Sequence, residues 1–124
     1  GTIGNGLRDR TWQGGDRTLW RAKNTDTFQP MGPWIETDFD LDNALTTVRV
    51  NGKVTDHFKT NNMVHGVAKF ISRMSQYLTL YPGDVVWFGC DGPTVPALQA
   101  GDLVEVENSA IGVLSNRVVR EKSP

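Results

Sequence analysis

Thr46, Val48 and Val50 alternate with Thr47 and Arg49. After Asn51-Gly52 the alternation resumes, with Val54, Asp56 and Phe58 set against Lys53, Thr55, His57 and Lys59. A period of two sends the two sets to opposite faces of an extended chain. Asn-Gly accepts positive φ at both central positions of a type I′ turn, so the pattern predicts a tight hairpin over about 46–59. Past Thr60 the period changes. Met63, Val64, Val67, Phe70, Ile71, Met74 and Leu78 fall on one helical stripe, which predicts a long amphipathic helix over about 62–77. Asn61 or Asn62 is placed to cap its start, and Pro82-Gly83 stops it. The methionines on this stripe read as core filler.

Two similar phrases follow, Pro82-Gly83-Asp84-Val85-Val86-Trp87 and Ala100-Gly101-Asp102-Leu103-Val104-Glu105. Each reads as a tight turn feeding a strand. A loop with two Gly and two Pro separates them over 89–96. A last strand is expected over about 110–119, with a bulge at Gly112. Toward the amino end, Pro33-Trp34-Ile35-Glu36-Thr37 reads as a short strand. Residues 2–32 lack clean periodicity and read as a short strand followed by a loop with a helical turn; a loop this long in a compact domain is usually functional. Five or six strands, one long helix and no βαβ rhythm predict a single α+β domain over 1–124, mostly β.

Composition narrows the function classes. The chain has 124 residues, 38% hydrophobic and 22% charged, with a net charge of -1. That is globular composition without a broad basic field, so nucleic acid is not expected as a partner. Apolar runs such as 85–88 are far shorter than the ~20 residues of a membrane span, and no basic-then-apolar leader opens the chain. The single cysteine, Cys90, allows no internal disulfide; a reducing, cytoplasmic location is the expectation.

Candidate chemistry concentrates near the amino end. Arg10, Gln13, Arg17, Arg21 and Lys23 share an irregular stretch with Trp12, Trp20 and Phe28. Long donors among aromatic rings suit a carboxylate-bearing ligand. A surface arginine cluster balanced by Asp9, Asp16 and Asp26 fits the same residues equally well. Elsewhere the signals are weaker. Glu105 and Glu107 would share one strand face opposite Val104 and Val106, which is polar-out alternation before it is a metal site. His57, His65 and Cys90 have no partners at ligand or nucleophile spacing.

The phrases "TIGNGLRDRTWQ", "KNTDTFQPMGPWI", "VNGKV", "LTLYPGDVVWFG" and "AGDLVEVENSAIGVLSNRVV" resemble, in order and spacing, the fumarylacetoacetate hydrolase family. The resemblance runs from about Thr2 to Arg120. It implies a β-roll of mixed strands with short helices, here without the family's N-terminal part, assembled as a homodimer or higher oligomer. It implies chemistry on small 2-oxo or 1,3-dicarbonyl acids: C–C hydrolysis, decarboxylation, isomerisation or hydration. It also implies a Mg²⁺ or Mn²⁺ ion that chelates the substrate's oxygens. The family pattern Asn-Asp-x-x-x-Arg-x-x-Gln corresponds to Asn5 through Gln13, so Arg10 and Gln13 take the positions of substrate carboxylate and carbonyl contacts. Lys23 takes that of the charge-stabilising catalytic lysine, and Thr27 that of a threonine in the same loop. Cys90 stands where the family tends to have a substrate-contacting Thr. Gly6 stands where the family has its metal-binding Asp, and the remaining metal carboxylates and the catalytic His-Glu pair lie upstream of this stretch in the family. No metal ligand is therefore assigned in this chain. A non-catalytic small-acid-binding or dimerisation module of the same fold is the alternative expectation.

Overall fold

The computed structural model describes residues 1–90 and 97–121; most of the loop expected over 89–96 lies outside the described residues. Six strands and three short helices follow the chain order β1 (Ile3–Gly4), α1 (Arg10–Gln13), α2 (Trp20–Lys23), β2 (Met31–Gly32), β3 (Leu45–Val50), β4 (Lys53–Lys59), α3 (Val67–Met74), β5 (Leu103–Asn108) and β6 (Gly112–Arg117). They form a four-stranded sheet in the order β4-β3-β5-β6 and a two-stranded sheet β1-β2, with every pairing antiparallel. The α+β, mostly β architecture is as expected.

The hairpin forms where the alternation places it. Asn51 and Gly52 both take positive φ, 51° and 78°. The Asn51 side chain also ties the turn to the start of β5: its Nδ2 donates to Asp102 Oδ1 at 2.8 Å, and its Oδ1 accepts from the Leu103 N–H at 2.9 Å. The strict alternation expected along β4 is broken. Val48 pairs with Asp56 but Arg49 pairs with Val54, so the register shifts between them. Thr55 is the extra residue, and Val54 moves to the Arg49 face.

The sheet's inner face explains the core. Val48 lies opposite Val106 and Val50 opposite Val104, while Leu114 flanks Val106 on the other side. Ile3 from the small sheet and Ile111 close over them to form the buried cluster, with Phe39 packed against it. Asn108 is the one buried polar residue among those described, and it is satisfied. Its Nδ2 donates to Thr46 Oγ1 and its Oδ1 accepts from the Ala110 N–H, as burial of an amide requires. On the outer face Glu107 forms an ion pair with Arg49; Glu105 lies directly opposite Arg49. The polar-out reading of Glu105 and Glu107 therefore holds.

Four local expectations change. No strand forms over 33–37. Pro33 has no N–H to donate, and the segment is held to the N-terminus by single bonds instead, Thr2 Oγ1 to the Trp34 carbonyl and the Glu36 N–H to the Gly1 carbonyl. The helix is eight residues, Val67–Met74, capped by extended Gly66 rather than by Asn61 or Asn62. Glycine at that position costs helical backbone entropy, and the helix ends well before Pro82. Both Gly-Asp phrases do make the same turn. Asp84 Oδ2 accepts from the Tyr81 N–H and Asp102 Oδ2 from the Gln99 N–H, each at 2.8 Å, with Gly83 and Gly101 at φ 98° and 99°. Only the second feeds a strand; residues 85–88 form none. Gly112 pairs in register with Asn108, so it is not a bulge. A Cβ there would stand 3.1 Å from the Trp34 ring at φ 128°, which is why glycine occupies it.

Candidate functional site

The segment after β1 is zipped to the segment after α2. The N–H groups of Asn5, Leu7 and Asp9 donate to the carbonyls of Pro30, Phe28 and Ala22 at 3.1, 3.0 and 2.9 Å. The two motif-bearing stretches, 5–13 and 23–30, thus lie side by side although α1 and α2 are one turn each. Neither helix could persist alone. Aspartates hold both. Asp9 caps α1 by accepting from the Thr11 N–H at 2.7 Å. Asp16 accepts from the Ala22 N–H at 2.9 Å and from Thr18 Oγ1 at 3.0 Å. The hydrogen bonds from Thr11 hold Asp9 below the ordinary carboxylate range, with a smaller contribution from the Arg21 charge, and the Ala22 N–H does the same for Asp16. The Arg21 guanidinium stacks 3.4 Å from the centre of the Trp12 ring.

Arg10 and Gln13 are three residues apart on α1, hence on one side of it, and both are exposed. Gln13 Oε1 accepts from Arg8. Lys23 closes α2, next to the Ala22 carbonyl that receives the Asp9 N–H. These three residues are therefore gathered on one small unit. Thr27, at φ 70°, belongs to a neighbouring open cleft of about 390 Å³, with Asn24, Thr25, Phe28, Gln29 and Asn116 among its walls. Cys90 is exposed on the stretch that follows Trp87.

The residues present do not fit a divalent ion. Gly6 offers no side-chain donor. The Asp9 carboxylate is committed to the cap of α1. Among the described residues no group of three or more His, Cys, Asp or Glu could hold a metal. A hard cation such as Mg²⁺ is bound through carboxylate, carbonyl and water oxygens. Space is not the obstacle: a Cβ on Gly6 would meet only the Trp87 ring, at 3.7 Å.

That indole is a site feature the sequence pattern missed. A Cβ on Gly4 would stand 2.6 Å from the Trp87 ring, so Trp87 lies over the Gly4–Gly6 strip across more than eighty residues of chain. The repeated small residues Gly4 and Gly6 were its only sequence trace. Asp9 and Asp16 were read as charge balance for the arginines and serve instead as backbone acceptors; Asp-x-Thr at both places was the available signal. Asn116, on β6, was not singled out at all.

Comparison with known proteins places this geometry. The family described as fumarylacetoacetate (FAA) hydrolase C-terminal matches residues 2–119. The chain is 42% identical over 127 residues to protein Rv2993c of Mycobacterium tuberculosis, covering 99% of this chain and 47% of that protein. It is 35% identical over 129 residues to the mitochondrial oxaloacetate tautomerase Fahd2a of Rattus norvegicus, covering 95% of this chain and 41% of the relative. The crystal structure of 2-hydroxyhepta-2,4-diene-1,7-dioate isomerase from Mycobacterium marinum superposes with a TM-score of 0.91 at 39% identity, over 98% of this chain and 48% of that one. Fumarylacetoacetate hydrolase from Exiguobacterium antarcticum also gives 0.91, at 32% identity, over 97% of this chain and 46% of that one. The chain thus spans about half the length of the relatives it matches. Motif order, sheet topology and near-complete coverage agree: the chain belongs to the fumarylacetoacetate hydrolase family.

Proposed function

We propose that this chain forms the carboxylate-recognising wall of a site for small 2-oxo or 1,3-dicarbonyl acids, serving C–C hydrolysis, decarboxylation or isomerisation. The observation that supports this reading is the 2.9 Å bond from the Asp9 N–H to the Ala22 carbonyl, which ties the start of α1, the helix of Arg10 and Gln13, to the end of α2, where Lys23 stands. Arg10 supplies a planar two-pronged donor for the substrate carboxylate. Gln13 has its Oε1 engaged by Arg8, so its Nε2 donates to a carbonyl oxygen. The Lys23 ammonium stabilises negative charge that develops as an enolate forms. Thr27 and Cys90 border the substrate. No step is assigned to a metal, because the donors in this chain do not suit one. A dependence on Mg²⁺ or Mn²⁺ requires carboxylates from outside these 124 residues. The chain contributes one domain over 1–124, part of the full family domain, self-associated as a homodimer or higher oligomer and acting in the cytoplasm without nucleic-acid or membrane partners. Among the described residues no helix is long and apolar enough to cross a membrane.

A second reading, a non-catalytic small-acid-binding module, is favoured by the bare Gly6 and the committed Asp9. Calorimetry with oxalate and pyruvate, combined with an ultraviolet assay of oxaloacetate enolisation, separates the two. Acid binding that falls at least tenfold in Arg10→Ala is expected under both. Turnover that disappears in Lys23→Met is expected only under the first. No heat with either acid, with or without millimolar Mg²⁺ or Mn²⁺, removes both.

A further inference from the structure

The strip that leads into α1 has two unlike faces. Ile3 is buried and Asn5, Leu7 and Asp9 are half-buried, whereas Gly4, Gly6, Arg8 and Arg10 are exposed. The N–H groups of Asn5, Leu7 and Asp9 are the ones that zip to the neighbouring stretch. Gly4, Gly6 and Arg8 therefore share the outer face of an extended chain. The Trp87 ring stands over the two glycines. Arg8 comes next along that face, about 6.6 Å beyond Gly6 at two residues of extended rise. Its guanidinium reaches α1, where Nη1 donates to Gln13 Oε1 at 3.3 Å.

A cation thus lies beside the proposed carbonyl contact, on the face where Gly6 offers no carboxylate. Nothing nearby neutralises it. Among the described residues neither Arg8 nor Arg10 forms an ion pair; the one pair joins Arg49 to Glu107. Asp9, between them in sequence, gives its carboxylate to the Thr11 N–H. The bond to Gln13 occupies one of the five N–H donors of a guanidinium, and the others stay available. One carboxylate fills the fork of one arginine. A second unpaired guanidinium beside the first is matched by a second anionic group.

We propose that Arg8 is a specificity-determining residue of this site: its guanidinium takes the second anionic group of a small dicarboxylate, in the place of a divalent ion, while Arg10 takes the first. The inference rests on the carboxylate-recognising reading above and names the feature of the acid that the site selects. Calorimetry on the full chain in excess EDTA tests it. Oxalate and pyruvate are the probes, since they share one carboxylate and differ in a second carboxylate against an acetyl group. The wild type is expected to bind oxalate at least tenfold more tightly than pyruvate. Arg8→Gln keeps a donor for Gln13 but loses the charge, and the preference falls to threefold or less. Gly6→Asp has room for its side chain, because a Cβ there lies 3.7 Å from the Trp87 ring. Its carboxylate neutralises Arg8 from the same face and lowers the preference in the same way. Remaining pyruvate binding shows that both variants are folded. Equal affinity of the wild type for the two acids overturns the role of Arg8 and leaves the carboxylate-recognising wall standing. So does oxalate binding that requires Mg²⁺ or Mn²⁺, or a preference that survives in Arg8→Gln. No heat with either acid, with or without those ions, overturns both.

Discussion

The four-stranded sheet and the segment from α3 to Phe88 are similarly rich in large apolar residues, and they use them in opposite ways. In the sheet, Val104, Val106 and Leu114 are buried, because strand pairing lines them up on one face, and Ile3 with Ile111 of the β5–β6 turn packs against Val106 and Leu114. In the segment, Phe70, Tyr77, Leu78, Tyr81, Trp87 and Phe88 all keep large exposed fractions. Hydrophobic stabilisation follows area removed from water, not apolar content. The sheet therefore carries the stability of the isolated chain, while the helical segment supplies surface that pairs with something else.

The comparison is broken most sharply by truncating one large apolar side chain in each region. Leu114→Ala removes packing from the closed core and is expected to destabilise by about 3 kcal/mol in urea unfolding. Phe70→Ala, measured in the dissociated chain, removes mainly the contact with Phe88 and costs about 1 kcal/mol. Equal losses at the two sites would mean that the α3 face is covered within a single chain.

A smaller effect is expected where the regions meet. Gly4→Ala forces the Trp87 ring off β1, since the new methyl would lie 2.6 Å from it. A loss of about 1–3 kcal/mol and an altered near-ultraviolet circular dichroism band should follow. An unchanged spectrum would detach the segment from the sheet altogether.

The smallest effect is electrostatic and sharpens how the sheet's turns and the α1–α2 unit are held. Asp102 is kept below the ordinary aspartate range, chiefly by the Gln99 N–H and then by Asn51; Asp9 and Asp16 are depressed as described above. For a carboxylate depressed on folding, the contribution is complete above the unfolded value of about 3.9 and is lost as pH falls through the lower folded value. Amide exchange at Gln99, Thr11 and Ala22 should stay slow from neutrality to about pH 5. Beyond the intrinsic pH dependence of exchange, protection should then fall between about pH 4 and pH 2. Loss of protection above pH 5 would assign the order at these turns to something other than the three carboxylates.

The α1–α2 unit shows how far residue order reads through to a site. Motif spacing identified Arg10, Gln13 and Lys23 as a group, and the backbone bonds from 5–9 to 22–30 bring their helices together. Thr27 and Cys90 are grouped with them by the resemblance alone; Thr27 lines the adjoining cleft and Cys90 is exposed on the stretch after Trp87. Spacing along a chain does not report which loops a distant segment brings near. Arg21 stacked on Trp12 left no periodic trace either, because eight residues of mostly irregular chain separate them.

The amino-acid sequence by itself determined the hairpin at Asn51-Gly52, the two Gly-Asp turns, the polar-out face of β5 and the family. These depend on local φ preferences, on period-two patterning and on residue identity, all of which act within a few positions. Only the tertiary structure decided that Thr55 shifts the register of β4, that Trp87 covers Gly4 and Gly6, and that Gly66 shortens α3. It also decided that, among the described residues, the apolar stripe of that helix finds no strand to pack against. An amphipathic pattern states which side chains favour burial, but the surface that buries them is set by contacts between segments far apart in sequence.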